Sequence, residues 1–234
     1  GATVKQSVRD LLLEAAGKYD QLPAFSDVDR ILTFAGLREA ADNLLAFLQS
    51  KGLQKGERIA VMLPNGTAFP VAFAANILGG YVQASVNPNY SPRELEHQLH
   101  DADVSALVIA ASALPTFRKI TPNKGLKLLV VVGDGVSLET GVPYEVVDFS
   151  KASEAGATLT PDYPPLARDD LLLLQYTGGT TGLSKGAMLA HGNLLANLDM
   201  YQHWLGGTLE EGCGTIITAL PLYHIFGLVV NCLA

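Results

Sequence analysis

The chain has 234 residues, 48% hydrophobic and 17% charged, a balance that describes a packed globular protein and excludes a disordered one. Its net charge of −7, without any basic stripe, argues against a nucleic-acid partner. The two cysteines, Cys213 and Cys232, have no C-x-x-C spacing, which excludes a disulfide framework and a cysteine zinc site and suits a reducing cytosol.

The opening residues Gly1-Ala2-Thr3-Val4-Lys5 have no apolar core behind a basic start, so no secretory signal is expected. Residues 7–19 are predicted to be helical, with Val8, Leu11, Leu12 and Ala15 on one side. Short apolar runs at 24–26 and 31–34 flank a polar turn and read as a hairpin. A periodic helix follows, with Leu37, Ala40, Ala41, Leu44, Leu45 and Leu48 on its core face and Gly52 at its end.

Residues 57–63 are a predicted strand and 67–78 a nearly all-apolar helix, buried on most sides. No charged residue occurs from Ile59 to Pro92, yet Pro64-Asn65-Gly66, Pro70 and Gly79-Gly80 divide that stretch into pieces too short to span a bilayer. Residues 82–86 are a strand. Ser91-Pro92-Arg93-Glu94 is a helix start: a serine cap, a proline at the first helical position and a glutamate three residues after the cap. On that helix His97 and His100 read as part of a solvated face rather than a metal site, because no second ligand pair is near.

Strands are expected at 104–110 and 126–132. Residues 133–168 lose periodicity and are rich in Gly, Pro and Ser, so they are expected to wander over the surface and to hold a boundary between two sheets. Residues 171–175 and 188–190 are strands, 193–204 a helix, 214–220 a strand, and 225–234 an apolar helix. The alternation of helix and strand predicts an α/β fold of mainly parallel sheets flanked by helices.

The most informative run is Tyr176-Thr177-Gly178-Gly179-Thr180-Thr181-Gly182-Leu183-Ser184-Lys185-Gly186. Its glycines let the backbone present N–H groups to an anion, its hydroxyls add donors, and Lys185 adds a mobile positive charge. An idle turn rarely concentrates these residue types so tightly. The ordinary G-x-x-x-x-G-K-[ST] loop does not fit, because Gly186 stands where that motif needs a hydroxyl and Gly186-Ala187-Met188-Leu189-Ala190 reads as a strand.

This run resembles the phosphate-binding signature of adenylate-forming enzymes, the superfamily of acyl-CoA synthetases, luciferases and adenylation domains. The Gly178-Gly179 pair and Ser184 are similar to the form found in bacterial long-chain fatty-acid–CoA ligases. Two further segments agree: Asn87-Pro88-Asn89-Tyr90-Ser91-Pro92-Arg93-Glu94-Leu95-Glu96-His97-Gln98-Leu99 and Ala219-Leu220-Pro221-Leu222-Tyr223-His224-Ile225-Phe226-Gly227-Leu228. Gly227 stands where the family tends to carry alanine.

The resemblance implies a two-step reaction. A carboxylate attacks the α-phosphate of ATP to give acyl-AMP and pyrophosphate, and the thiol of CoA then takes the acyl group. It implies that Tyr176, Thr177, Gly178, Gly179, Thr180, Thr181, Gly182, Ser184, Lys185 and Gly186 form the nucleotide site, with Lys185 offsetting phosphate charge or holding the loop in shape. Mg²⁺ is expected to bridge phosphate oxygens, with no ligand residue assigned. His224 is the expected catalytic residue, orienting the carboxylate or shielding the site, with Tyr223 and Phe226 shaping an acyl pocket. Tyr201 and Trp204 are expected in the core.

The family's acidic, ribose-binding, hinge and late-lysine segments have no match here. Residues 1–234 are therefore expected to be the N-terminal part of the large ATP- and acyl-binding domain, an incomplete portion of the acyl-CoA synthetase fold without its C-terminal lid. A subdomain boundary is expected within 133–168. Such a chain alone is expected to be inactive and to self-associate through Val229, Val230, Cys232 and Leu233. The parent protein is expected in the cytoplasm, with peripheral attachment to the inner face of the membrane open. Two other readings remain open: a ligase for an aryl or medium-chain acid, and a non-catalytic nucleotide- or acyl-binding module.

Overall fold

Side chains that alternate between the two faces of a strand govern how the middle of this chain folds. In a computed structural model describing residues 4–27, 30–134, 139–176 and 186–205, the first pair of strands is an antiparallel hairpin, β1 (Pro23–Asp27) and β2 (Arg30–Thr33). The other strands are β3 (Arg58–Met62), β4 (Val82–Ser85), β5 (Ala106–Ala110), β6 (Leu128–Val132), β7 (Glu145–Asp148), β8 (Leu171–Tyr176) and β9 (Gly186–Ala190). Among the described residues these form one seven-stranded sheet in the order β7-β6-β5-β3-β4-β8-β9. All neighbours are parallel except β8 and β9, which are antiparallel.

Each face of the sheet is covered by helices. Ile59, Val61, Ala106, Val108, Leu128 and Val130 face one core, while Ala60, Met62, Leu107, Ile109, Leu129 and Val131 face the other. The first core is closed by α1 (Val8–Lys18), α2 (Phe34–Ser50), α3 (Ala68–Gly79) and α7 (His191–Leu205). The second is closed by α4 (Pro92–Ala102) and the single turn α5 (Leu114–Phe117), through Leu95, Leu99, Leu114 and Phe117. Both strand faces being buried is what the near-continuous apolar runs of the strands require.

The predicted helix starts are present. Ser91 accepts from Glu94 N–H while the Glu94 carboxylate accepts from Ser91 N–H, a complete capping box with Pro92 at the first turn. Helix α2 runs to Ser50, just before Gly52. Helix α3 is buried from Phe69 to Gly79, and fully covering side chains such as Phe73 and Ile77 contributes about 1.5–3 kcal/mol each. No helix among the described residues is long and apolar enough to cross a membrane.

One segment differs from expectation. Residues 133–168 do not simply wander over the surface: they contain β7 and a helix, α6 (Phe149–Ala157). Asp148 caps α6 by accepting from Lys151 N–H. Ala152 and Gly156 then face α2, so closely that a Cβ on Gly156 would lie 1.7 Å from the carbonyl oxygen of Asn43. Of this nine-residue helix only Ala152 and Gly156 are buried, and residues so small give the sequence no large apolar side chain to mark the contact face. Beyond it, Gln49 exchanges two hydrogen bonds with the backbone of Asp162, and Arg9 donates to the carbonyl of Pro164. Strand β7 before this stretch and β8 after it belong to the same sheet.

Candidate phosphate-binding site

The glycine–threonine run connects β8 to β9. Leu172, Leu173 and Leu174 bury β8 between the two cores, and it pairs with β4 through Gln83 opposite Leu173 and Ala84 opposite Leu174. Its last residue, Tyr176, is the register partner of Gly186, the first residue of β9. Residues 177–185 are thus carried on an antiparallel hairpin. A G-K-[ST] phosphate loop instead leads from a strand into a helix.

Of the ten nucleotide-site candidates, the structure describes Tyr176 and Gly186 and brings them together. Thr177, Gly178, Gly179, Thr180, Thr181, Gly182, Ser184 and Lys185 lie outside the described residues, as do His224, Tyr223, Phe226, Cys213, Cys232 and the elements expected at 214–220 and 225–234. The side chains of Tyr201 and Trp204 are likewise outside them.

Tyr176 is nearly buried in the second core, and its ring lies directly over Gly186. A Cβ on Gly186 would fall 2.9 Å from Cζ of that ring, so only glycine fits beneath it. The Tyr176 hydroxyl donates to Oδ2 of Asp101 on α4 at 2.8 Å. Burial and this hydrogen bond to a carboxylate both push the phenol well above its usual range, so it keeps its proton at neutral pH. Tyr90, in the segment leading to α4, packs against the same core, and its own phenol is raised by burial and by Glu94. The second sequence motif therefore lies against the stem of the first.

The base of the hairpin is anchored separately. His191, directly after β9, donates its backbone N–H to Asp170 O at 2.9 Å, and Gly192 N–H donates to Arg168 O at 2.7 Å. The His191 ring is fully buried, and its Nδ1 accepts from Val8 N–H at 3.0 Å. Burial lowers its pKa to about 4, against an opposing pull from Asp170, so the ring is neutral and its second nitrogen carries the proton. Arg168 also donates to Lys5 O, tying the N-terminal segment to the same corner.

The sequence does not single out Asp101 or His191. Asp101 lies just past the recognised motif, at helical spacing from Gln98, and His191 opens a helix directly after Ala190. Neither position carries a local sign of its partner. Among the described residues no group of three or more His, Cys, Asp or Glu side chains could hold a metal ion, and the His100 ring instead meets Thr121 O at 2.8 Å.

Residues 12–234 match the family described as AMP-binding enzyme. The chain belongs to this family. It is 39% identical over 248 aligned residues to a long-chain-fatty-acid–CoA ligase of Escherichia coli O6:H1, covering 97% of this chain and 44% of that protein. A protein of the same name from Salmonella typhimurium is 38% identical, with the same coverage. The chain thus spans less than half the length of these curated relatives. Among solved structures, the anthranilate CoA ligase AuaEII in complex with anthranoyl-AMP superimposes with a TM-score of 0.75 at 22% identity, over 86% of this chain and 38% of that one. At that identity the likeness shows the fold alone.

Proposed function

We propose that this chain carries the triphosphate-binding part of an ATP-dependent ligase that converts a long-chain fatty acid to its acyl-adenylate and passes the acyl group to CoA. The observation that carries the reading is the hairpin neck. Tyr176 and Gly186 close an antiparallel stem around a run of glycine, hydroxyl and lysine residues, in a chain of the AMP-binding family. The names of the curated relatives support the choice of acid.

Both reactants of the first step are anions, so charge neutralisation and in-line positioning matter more than a strong nucleophile. Backbone N–H groups and hydroxyls of Thr177, Gly178, Gly179, Thr180, Thr181, Gly182 and Ser184 would hold the β- and γ-phosphates, with Lys185 offsetting their charge. His224 would orient the carboxylate. Mg²⁺, when bound with ATP, would further neutralise the phosphates. The complete reaction is assigned to a protein of the relatives' length, cytoplasmic or peripheral to the inner membrane face, and the 234 residues alone are expected to be inactive.

ATP–pyrophosphate exchange, measured on that longer protein with a panel of carboxylic acids, tests the reading. Exchange driven by long-chain fatty acids supports it. Exchange driven only by aryl or medium-chain acids moves the protein to another ligase class, and none with any acid ends the catalytic reading. Exchange by the 234-residue chain itself would show that these residues suffice for adenylation.

A further inference from the structure

Among the described residues, a side-chain hydrogen bond ties the hairpin that bears residues 177–185 to α4. Tyr176 is the last residue of β8, and its hydroxyl reaches Oδ2 of Asp101 at 2.8 Å. One turn earlier on α4, Gln98 is buried and its Nε2 donates to Ser85 O, the last residue of β4, at 2.8 Å. Residues three apart share a helix face, so α4 is tied to the ends of two neighbouring strands, β4 and β8. The buried ring of Tyr176 passes the constraint across the stem, because it lies on Gly186 with no room for a side chain between them.

The two partners in this bond differ in burial. Tyr176 is 7% exposed and belongs to the core, whereas Asp101 lies on the solvent side of α4. Removing the carboxylate therefore empties no core space, but it frees the phenol to leave its place over Gly186. A charged acceptor makes the hydrogen bond shorter and stronger than a neutral one. Such a bond costs little in packing and acts on direction, which is what a stem residue next to a ligand loop needs.

We propose that Asp101 is a positioning residue for nucleotide binding: through the Tyr176 hydroxyl it fixes the neck of the hairpin that carries the glycine–threonine loop. The inference rests on the ATP-dependent reading above and adds a residue to it. Asp101 touches neither ATP nor the reacting atoms.

The test uses the protein at the relatives' length, with D101A, D101N, Y176F and the D101A/Y176F double variant. ATP dissociation constants are measured by equilibrium dialysis, and KM for ATP and for fatty acid from initial rates. D101A is expected to weaken ATP about five- to tenfold in both Kd and KM, with KM for fatty acid within about twofold. D101N, which keeps an acceptor oxygen, is expected to recover most of the loss. Y176F should match D101A, and the double variant should be no worse than either single one. A D101A protein with a lowered melting temperature but unchanged ATP Kd overturns the inference, as do losses in D101A and Y176F that add. Wild-type protein that binds ATP yet shows no exchange with any acid overturns the catalytic reading only, and Asp101 is then judged from dialysis. Wild-type protein that does not bind ATP overturns both.

Discussion

Across 183 positions of sequence, the backbone N–H of Val8 at the start of α1 donates to Nδ1 of the buried His191 ring at the start of α7, at 3.0 Å. The bond needs a neutral imidazole, since a doubly protonated ring has no acceptor. Asp170, Arg9, Asp10 and Lys55 act on the ring from the surrounding elements, but burial dominates and sets its pKa at about 4.

Folding stability should therefore fall with acidification earlier than carboxylates alone would cause. A histidine depressed from 6.5 to about 4 contributes fully above about pH 6.5, and its contribution, roughly 3 kcal/mol, is lost as pH falls toward 4. Glu14, held low by its hydrogen bond from Lys5, and Asp170, held low by Ala167 N–H, lose their contributions at lower pH, below the ordinary carboxylate range. Urea midpoints of wild type between about pH 7 and about pH 4.5 should drop steeply, and His191→Ala should start lower and flatten that slope. Parallel pH profiles for the two proteins would remove His191 as the cause.

Gly186→Ala should disturb the neck selectively. The new Cβ meets the Tyr176 ring at 2.9 Å and its hydroxyl at 3.1 Å, so the ring must tilt and leave Asp101. The expected cost is about 1–2 kcal/mol, typical of overpacking. Tyr176→Leu removes the obstructing ring. In a protein that already carries that substitution, adding Gly186→Ala should be nearly neutral by denaturant titration, and an undiminished cost there would show that the ring is not the obstacle.

Gly156→Ala is expected to be far more harmful than its chemistry suggests. The obstacle there is the backbone of Asn43 at 1.7 Å, which no rotamer change relieves, so α6 must shift off α2 at a cost of about 3 kcal/mol. Gly17→Ala on α1 is the control: nothing lies within 4 Å of the new methyl, and it should be neutral or stabilising by about 0.5 kcal/mol. Equal thermal shifts for the two variants would contradict the close α2–α6 contact.

A polar pair is sealed in the first core's wall, where Asn76 Nδ2 on α3 donates to Gln83 Oε1 on β4 at 2.8 Å, and both residues are fully buried. Asn76→Leu strands the Gln83 amide oxygen and should cost about 1–3 kcal/mol. Adding Gln83→Leu removes the stranded group but also the Nε2 bond to Ser85 Oγ, so the double variant should recover only part of the loss. Strictly additive costs in a double-mutant cycle would show that the pair does not act as a unit.

The elements whose signals are local are legible in the sequence. The capping box at Ser91 and Glu94, the apolar face of α2 and the continuous apolar strands follow from neighbours a few residues away, and each of these is present. Helix α6 is not legible, because its burial depends on the backbone of Asn43, which lies on α2, far from Gly156 in sequence. In the candidate site, the residue types of the loop are visible as chemistry, and the strand after Lys185 correctly separates it from a helix-starting phosphate loop. The props of that loop are not visible.

The sequence by itself determined the α/β class and the family, and it displayed the residue types of the glycine–threonine run, because apolar period, helix caps and a dense string of glycines and hydroxyls are written in consecutive residues. Tertiary structure alone decided that Tyr176 meets Asp101 and Gly186, and that Val8 meets His191. A hydrogen bond is directional and reaches only about 3 Å. Its partners are chosen by how strands and helices stack in space, and a single aspartate or histidine carries no mark of the residue it will meet.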